Sequence, residues 1–284
     1  MALIVAAAQY ASLPADIEGN LTQHARFITS AAGLGVQLLV FPELSLTGYE
    51  LSAVADIAVH PHDPRLAPLQ VLARKHSMAI LAGAPVRVGA SLHIGTLAFL
   101  PDGLIAVYTK MHLHDGEQTV FASGQGGPIL RLGRIHVAMA ICADVAEASH
   151  ASRAAADKAN IYAVSVLLSE QGYASDAERL RGYAVNHGMA VVMANHAAPT
   201  GDWIPTGRST IWDEQGRLIA ASPANEEALI LGRRRAHHWE GDVFSMNPRT
   251  SLEAVAEIPS EKEKALAAKP LSDQGDLFAS FFDE

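Results

Sequence analysis

Short apolar runs alternate along the chain with stretches whose apolar positions recur every three or four residues. These are the signatures of buried strands and of amphipathic helices. The pattern predicts strands over residues 2–10, 36–41, 78–85, 92–100, 104–109, 135–141, 161–168, 190–195, 209–213, 217–220 and 228–232. It predicts helices over 17–32, 64–76, 146–159, 176–187 and 261–268. The run 36–41 is apolar except for Gln37, as expected of a strand covered on both faces. The first helix places Leu21, Ala25, Ile28 and Ala32 on one face, and Gly33 and Gly35 stop it. Pro101-Asp102-Gly103 and Glu214-Gln215-Gly216 read as hairpin turns. The alternation implies an α/β protein with one domain over residues 1–284, of which 233–284 is a more polar C-terminal extension. The apolar stretch 277–282 at its end needs a surface to cover it, on its own domain or on a partner subunit.

Apolar residues make up 49 % of the 284, enough for a large core. The formal charge is −9, from 21 basic and 30 acidic residues, and the only basic run is Arg233-Arg234-Arg235. That balance speaks against nucleic acid and against an anionic membrane as partners. The single cysteine, Cys142, excludes an intramolecular disulfide and fits a reducing compartment. The apolar N-terminus lacks the basic start of a signal peptide, and no apolar run reaches the ~18 residues of a membrane helix. The expectation is a cytoplasmic protein.

Three segments carry candidate chemistry. Phe41-Pro42-Glu43 sets a carboxylate just past a buried strand, at the strand end where open sheets gather ligands. The small and apolar residues that follow, up to Tyr49, favour desolvation and a raised pKa, as a general base requires. Tyr108-Thr109-Lys110 sets an ammonium at another strand end, suited to an oxyanion or to a neighbouring thiol. Residues 138–144 run from a strand through Cys142 toward a helix, whose N-terminus and free N–H groups favour a thiolate and an oxyanion. Taken singly, each segment also fits a surface glutamate, a solvated lysine or an inert core thiol.

The order Phe-Pro-Glu, then Tyr-x-Lys-x-His-Leu with a later Glu, then Ile-Cys-x-Asp resembles the nitrilase superfamily of carbon–nitrogen hydrolases. The likeness extends over roughly residues 2–232. It includes the opening Ala-Ala-Ala-Gln, the run from Glu117 to Gly124, Ala194-Asn195, and Gly207-Arg208-Ser209 before Asp213 and Gly216. The resemblance implies a four-layer α–β–β–α sandwich that pairs with a second copy, the C-terminal tail crossing to the partner. It implies a Glu43–Lys110–Cys142 triad supported by Glu117, with oxyanion and substrate contacts at Ala143, Tyr49 and Asp144. The implied activity is hydrolysis of a small amide through a Cys142 thioester, with neither metal nor organic cofactor. Cys142-Ala143-Asp144 looks more like the amidase branches than the Cys-Trp-Glu of nitrilases proper.

The chain departs from the family after Cys-x-Asp. Many members place an arginine or aromatic group and then Pro-Glu, whereas this chain reads Val145-Ala146-Glu147-Ala148-Ser149-His150. An N-carbamoyl amino acid there loses one partner for its carboxylate, unless Arg153, Arg181 or Arg208 substitutes. N-carbamoyl compounds and nitriles stand as alternative substrates. A papain-like pairing of Cys142 with His196 or His187, and a catalytically silent scaffold, stand as alternatives of other kinds. His60 with His62, His112 with His114, and His237 with His238 are the tightest histidine pairs, and none has zinc-site spacing.

Overall fold

The apolar runs form strands of two sheets, and the alternation of side chains along each strand decides which layer every residue enters. The computed structural model describes residues 2–223, 225–236, 238–246, 259–261 and 263–264. The first strands are β1 (Leu3–Gln9), β2 (Leu38–Val40), β3 (Ala79–Val88), β4 (Ser91–Phe99) and β5 (Ile105–Thr109). Next come β6 (Leu130–Leu132), β7 (Ile135–Ile141), β8 (Ile161–Ser165), β9 (Ala190–Ala194), β10 (Thr210–Trp212) and β11 (Leu218–Ala221). The chain then returns to the first sheet with β12 (Ala228–Arg235) and β13 (His238–Ser245). Among the described residues the sheets run β13-β12-β1-β2-β3-β4-β5 and β11-β10-β9-β8-β7-β6. Neighbours β1, β2 and β3 are parallel, as are β7, β8 and β9.

Helix α1 (Ile17–Gly33) is capped by Asp16, whose side chain accepts from the Gly19 N–H. After the single-turn α2 (Val54–Ile57), α3 (Ala67–His76) joins α1 in covering the outer face of the first sheet, over Ala6, Ala8, Leu39, Ile80 and Ala82. The intervening residues Val5, Ala7, Leu38 and Leu81 point the other way and meet Val137, Met139 and Ile141 between the sheets. Helices α4 (Ala148–Ala156) and α5 (Glu170–His187) close the second sheet over Ala138, Ala140 and Val164. The result is the four-layer α–β–β–α sandwich that the family resemblance implies. Strands with both faces covered explain why the runs read as continuously apolar. Among the described residues no helix is long and apolar enough to cross a membrane.

The structure corrects several boundaries. The last predicted strand ends at 232, yet β12 continues to Arg235 and β13 follows as an edge strand. Residues 233–235 and 238–245 therefore lie in the sheet rather than in an extension. Arg234 bonds Glu214 at 2.6 Å and lies over the Trp239 ring, so a polar run is held by partners that the sequence pattern does not display. The segment 146–159 is divided between a 3₁₀ turn, Cys142–Ala146, and α4. Helix α5 begins at Glu170, ahead of the predicted 176. Residues 265–268 of the last predicted helix and the apolar stretch 277–282 lie outside the described residues.

Candidate active site

Glu43 sits in a turn that leaves β2 and is fixed from several sides. Leu44 adopts a left-handed φ of 51°, which a non-glycine residue holds only when its surroundings enforce it. Ser165 Oγ donates to the Phe41 carbonyl at 2.8 Å, and Ser45 Oγ accepts from the Gly83 N–H at 3.1 Å. His24 donates through Nδ1 to the Asn20 carbonyl, which leaves Nε2 to accept from Ser45 at 3.1 Å. Burial lowers the His24 pKa to about 3, in keeping with that neutral form. His196 is fully buried, its pKa lowered to about 4 by burial, and its Nε2–H donates to the Glu43 carbonyl at 2.7 Å.

Gly83 on β3 is where the turn presses closest. A Cβ there would lie 2.4 Å from the Leu44 nitrogen and 2.6 Å from the Pro42 oxygen, both backbone atoms that cannot swing aside. Gly83→Ala is therefore expected to destabilise the fold by about 1–3 kcal/mol through overpacking. It should also depress any activity that depends on Glu43. Chemical denaturation beside a turnover assay checks both; unchanged stability would contradict this tight packing.

Lys110 follows β5, its N–H bonded to the Ile94 carbonyl at 2.8 Å. The side chain is wholly buried, and Nζ reaches Glu43 Oε1 at 2.7 Å and both Glu117 oxygens at 2.8 and 2.9 Å. Glu117 opens a 3₁₀ turn and also accepts from Tyr49 Oη and the His114 N–H, each at 2.8 Å. One buried cation thus stands between two buried carboxylates. Burial pushes the Glu43 carboxyl up to about 7; Lys110 opposes the shift and the Glu117 charge reinforces it. Burial by itself would depress the Lys110 ammonium, but Glu43, Cys142 and Glu117 together hold it above its ordinary value.

Cys142 directly follows β7 and opens the 3₁₀ turn with a left-handed φ of 42°. Its thiol donates to the Leu167 carbonyl at 3.9 Å, and it also favours the charged form of the Glu43 carboxylate. Burial, and next the Glu43 charge, push the thiol above its usual range, so at rest it keeps its proton. The predicted helix N-terminus at Cys142 is instead a single 3₁₀ turn. Ala143 stands second in that turn, where an N–H has no partner within the turn.

The structure therefore brings Glu43, Lys110, Glu117, Tyr49 and Cys142 into one cluster. Asp144 is placed differently from the substrate-binding position expected of it. It is fully buried, and its oxygens accept from the N–H groups of Met111, His112 and Ile141 and from Tyr108 Oη. Four internal donors occupy it, so it braces the backbone instead. His196, offered as a base for Cys142, is committed to the Glu43 backbone, and His187 ends α5 against Tyr183. Arg181 pairs with Glu178 and Arg208 with Glu170, while Arg153 lines a separate cavity beside His150.

The sequence assigns no role to His24, Ser45, Ser165 or the Tyr108 of its Tyr-x-Lys motif, which position these groups, nor to Trp203, whose ring meets both Tyr49 and His114 edge-on. A lone polar residue within an apolar run is the only signal available for Ser45 and Ser165.

Comparison with known proteins points the same way. The carbon-nitrogen hydrolase family profile matches residues 4–240. A probable nitrilase of Schizosaccharomyces pombe is 25 % identical over 237 residues, 80 % of this chain and 86 % of that protein. Among solved structures, the amidase from Nesterenkonia sp. AN1 in complex with butyramide is 25 % identical with a TM-score of 0.75, covering 82 % of this chain and 91 % of that one. A mutant of that amidase carries the acetamide moiety of fluoroacetamide covalently at its active-site cysteine, with the same identity and TM-score over 82 % and 90 % of the two chains.

Proposed function

The chain belongs to the carbon–nitrogen hydrolase family of the nitrilase superfamily, and from that premise we propose that it hydrolyses a small amide to a carboxylic acid and ammonia or an amine. The observation that carries this reading is the buried Lys110 bridging Glu43 and Glu117, with the Cys142 thiol beside Glu43. In the proposed cycle Glu43 takes the thiol proton as sulfur attacks the carbonyl carbon. Lysine has three N–H donors: one stays on each carboxylate and the third, with the Ala143 N–H, meets the oxyanion. Collapse of the tetrahedral adduct expels the nitrogen, which receives the proton from Glu43, and leaves a thioester. Glu43 then deprotonates water, which attacks the thioester; the sulfur departs and recovers its proton. Glu117, anchored by Tyr49 and His114, keeps Lys110 in place.

A carboxyl raised to about 7 is protonated, and useless as a base, below that pH. For the best substrate, kcat/KM is expected to fall about tenfold per pH unit below pH ~7 and to level off above it. The measurement is ammonia release from primary amides, ω-amides, N-carbamoyl amines and nitriles across that range. Release from amides supports the amidase reading. Release confined to nitriles favours the second reading, which the S. pombe relative suggests, and a flat acid limb removes Glu43 as the base.

A further inference from the structure

Resting on that reading, we propose that His150 is a positioning residue that holds Lys110 and Cys142 in register through Tyr108 and Asp144. Asp144 is the junction. Its Oδ1 accepts from the N–H groups of Met111 at 3.0 Å and His112 at 2.8 Å, the two residues after Lys110. Its Oδ2 accepts from the Ile141 N–H at 3.0 Å, directly before Cys142. One carboxylate thus ties together the two backbone segments that carry the ammonium and the thiol. Tyr108 Oη donates to the same Oδ2 at 2.6 Å and contacts His150 Nε2 at 2.7 Å.

Proton directions along this chain are determined. The Tyr108 proton is spent on Asp144, so His150 must donate from Nε2, and its Nδ1 is left to accept from Tyr162 Oη at 2.7 Å. Burial lowers the His150 pKa and raises those of both tyrosines, so all three stay neutral and the directions do not reverse. The relay runs from Tyr162 on β8 through His150 on α4 and Tyr108 on β5 to the bend after β7. It joins the two sheets behind the reacting groups without touching them. His150 ends the stretch 145–150 in which this sequence departs from the family pattern. A catalytic cluster tolerates little displacement, since a shift of ~1 Å can cost about 10²-fold in rate.

The test compares His150→Phe with His150→Gln. A cavity of about 350 Å³, lined by Tyr108, Met139, His150 and Arg153 among others, leaves room for the phenylalanine ring. Phe removes both hydrogen bonds, whereas the Gln amide has one group to donate and one to accept. The expected result is a fall in kcat of about 10- to 100-fold for His150→Phe, with KM within about threefold of wild type. His150→Gln should recover most of the loss. Alkylation of Cys142 by iodoacetamide, which needs no substrate, should slow in parallel. Wild-type kcat and alkylation in His150→Phe would overturn the proposal. Equal losses in both variants, accompanied by an equal fall in Tm, would overturn it in favour of a purely structural role. If the wild type turns over no amide, the proposed function fails, while the alkylation rates still decide whether His150 positions Cys142.

Discussion

Replacing Cys142 with alanine is expected to remove hydrolysis almost entirely, by on the order of 10⁵- to 10⁶-fold in kcat, while the protein stays folded. No other thiol exists in the chain to substitute for it. The loss is large because the proposed cycle runs through a covalent step: in it Lys110 and Ala143 meet an oxyanion that forms only when sulfur attacks. Stability should change little. The thiol rests protonated, so its removal strands no charge, and alanine keeps the same left-handed φ of 42°. Cys142→Gly, equally inactive, should be at least as stable as the alanine variant, because glycine adopts positive φ without steric cost. Turnover, Tm and intact-mass detection of an acyl adduct from a slow substrate check these expectations together. Residual turnover within about tenfold of wild type, or an adduct on the alanine variant, would dismiss Cys142 as nucleophile.

Lys110→Met should damage both activity and stability. Lys110 is the cation between two fully buried carboxylates, and breaking such a pair typically costs about 3–5 kcal/mol because buried charge is left uncompensated. The sign of the pH dependence follows. Without the ammonium, the Glu43 carboxyl, already raised to about 7, rises further. A carboxyl with a folded-state pKa above its unfolded value favours folding fully at acidic pH, and that contribution disappears as pH rises through the folded-state value. The variant should therefore lose most stability at pH 8 and least near pH 5. Adding Glu117→Gln, which removes one of the stranded charges, should restore part of it. Denaturation midpoints at the two pH values check this; a deficit independent of pH would mean that Lys110 contributes by packing and not by charge. Activity should fall by several hundredfold, since both the oxyanion contact and the register of Glu43 are lost.

Much of this site was legible before any coordinates. Short apolar runs marked the strands because each sheet is covered on both faces, and the reactive residues stood at the ends of three of those strands. Glu117, placed beside the triad by resemblance, bonds Lys110, and Tyr49, expected at the substrate, donates its hydroxyl to Glu117. Asp144 came from the same resemblance, yet its role differs: the family pattern gives a residue's place along the chain, and only the three-dimensional contacts show that four donors already occupy its carboxylate. Strand β13 and the early start of α5 escaped notice because an edge strand and a glycine-containing first turn lack the periodicity that signals burial.

The sequence alone determined which segments are strands and helices, because burial periodicity is a local property of the chain, and its resemblance to the family implied the layer order and the proposed reacting groups. Only the tertiary structure decided how those groups influence one another. The Glu43 pKa near 7 arises from burial, one cation and a second carboxylate converging from different strands and turns. The register of Lys110 against Cys142 depends on an aspartate, two tyrosines and a histidine contributed by both sheets and a helix. Electrostatic coupling and hydrogen-bond direction depend on distances through space, and no spacing along the chain encodes them.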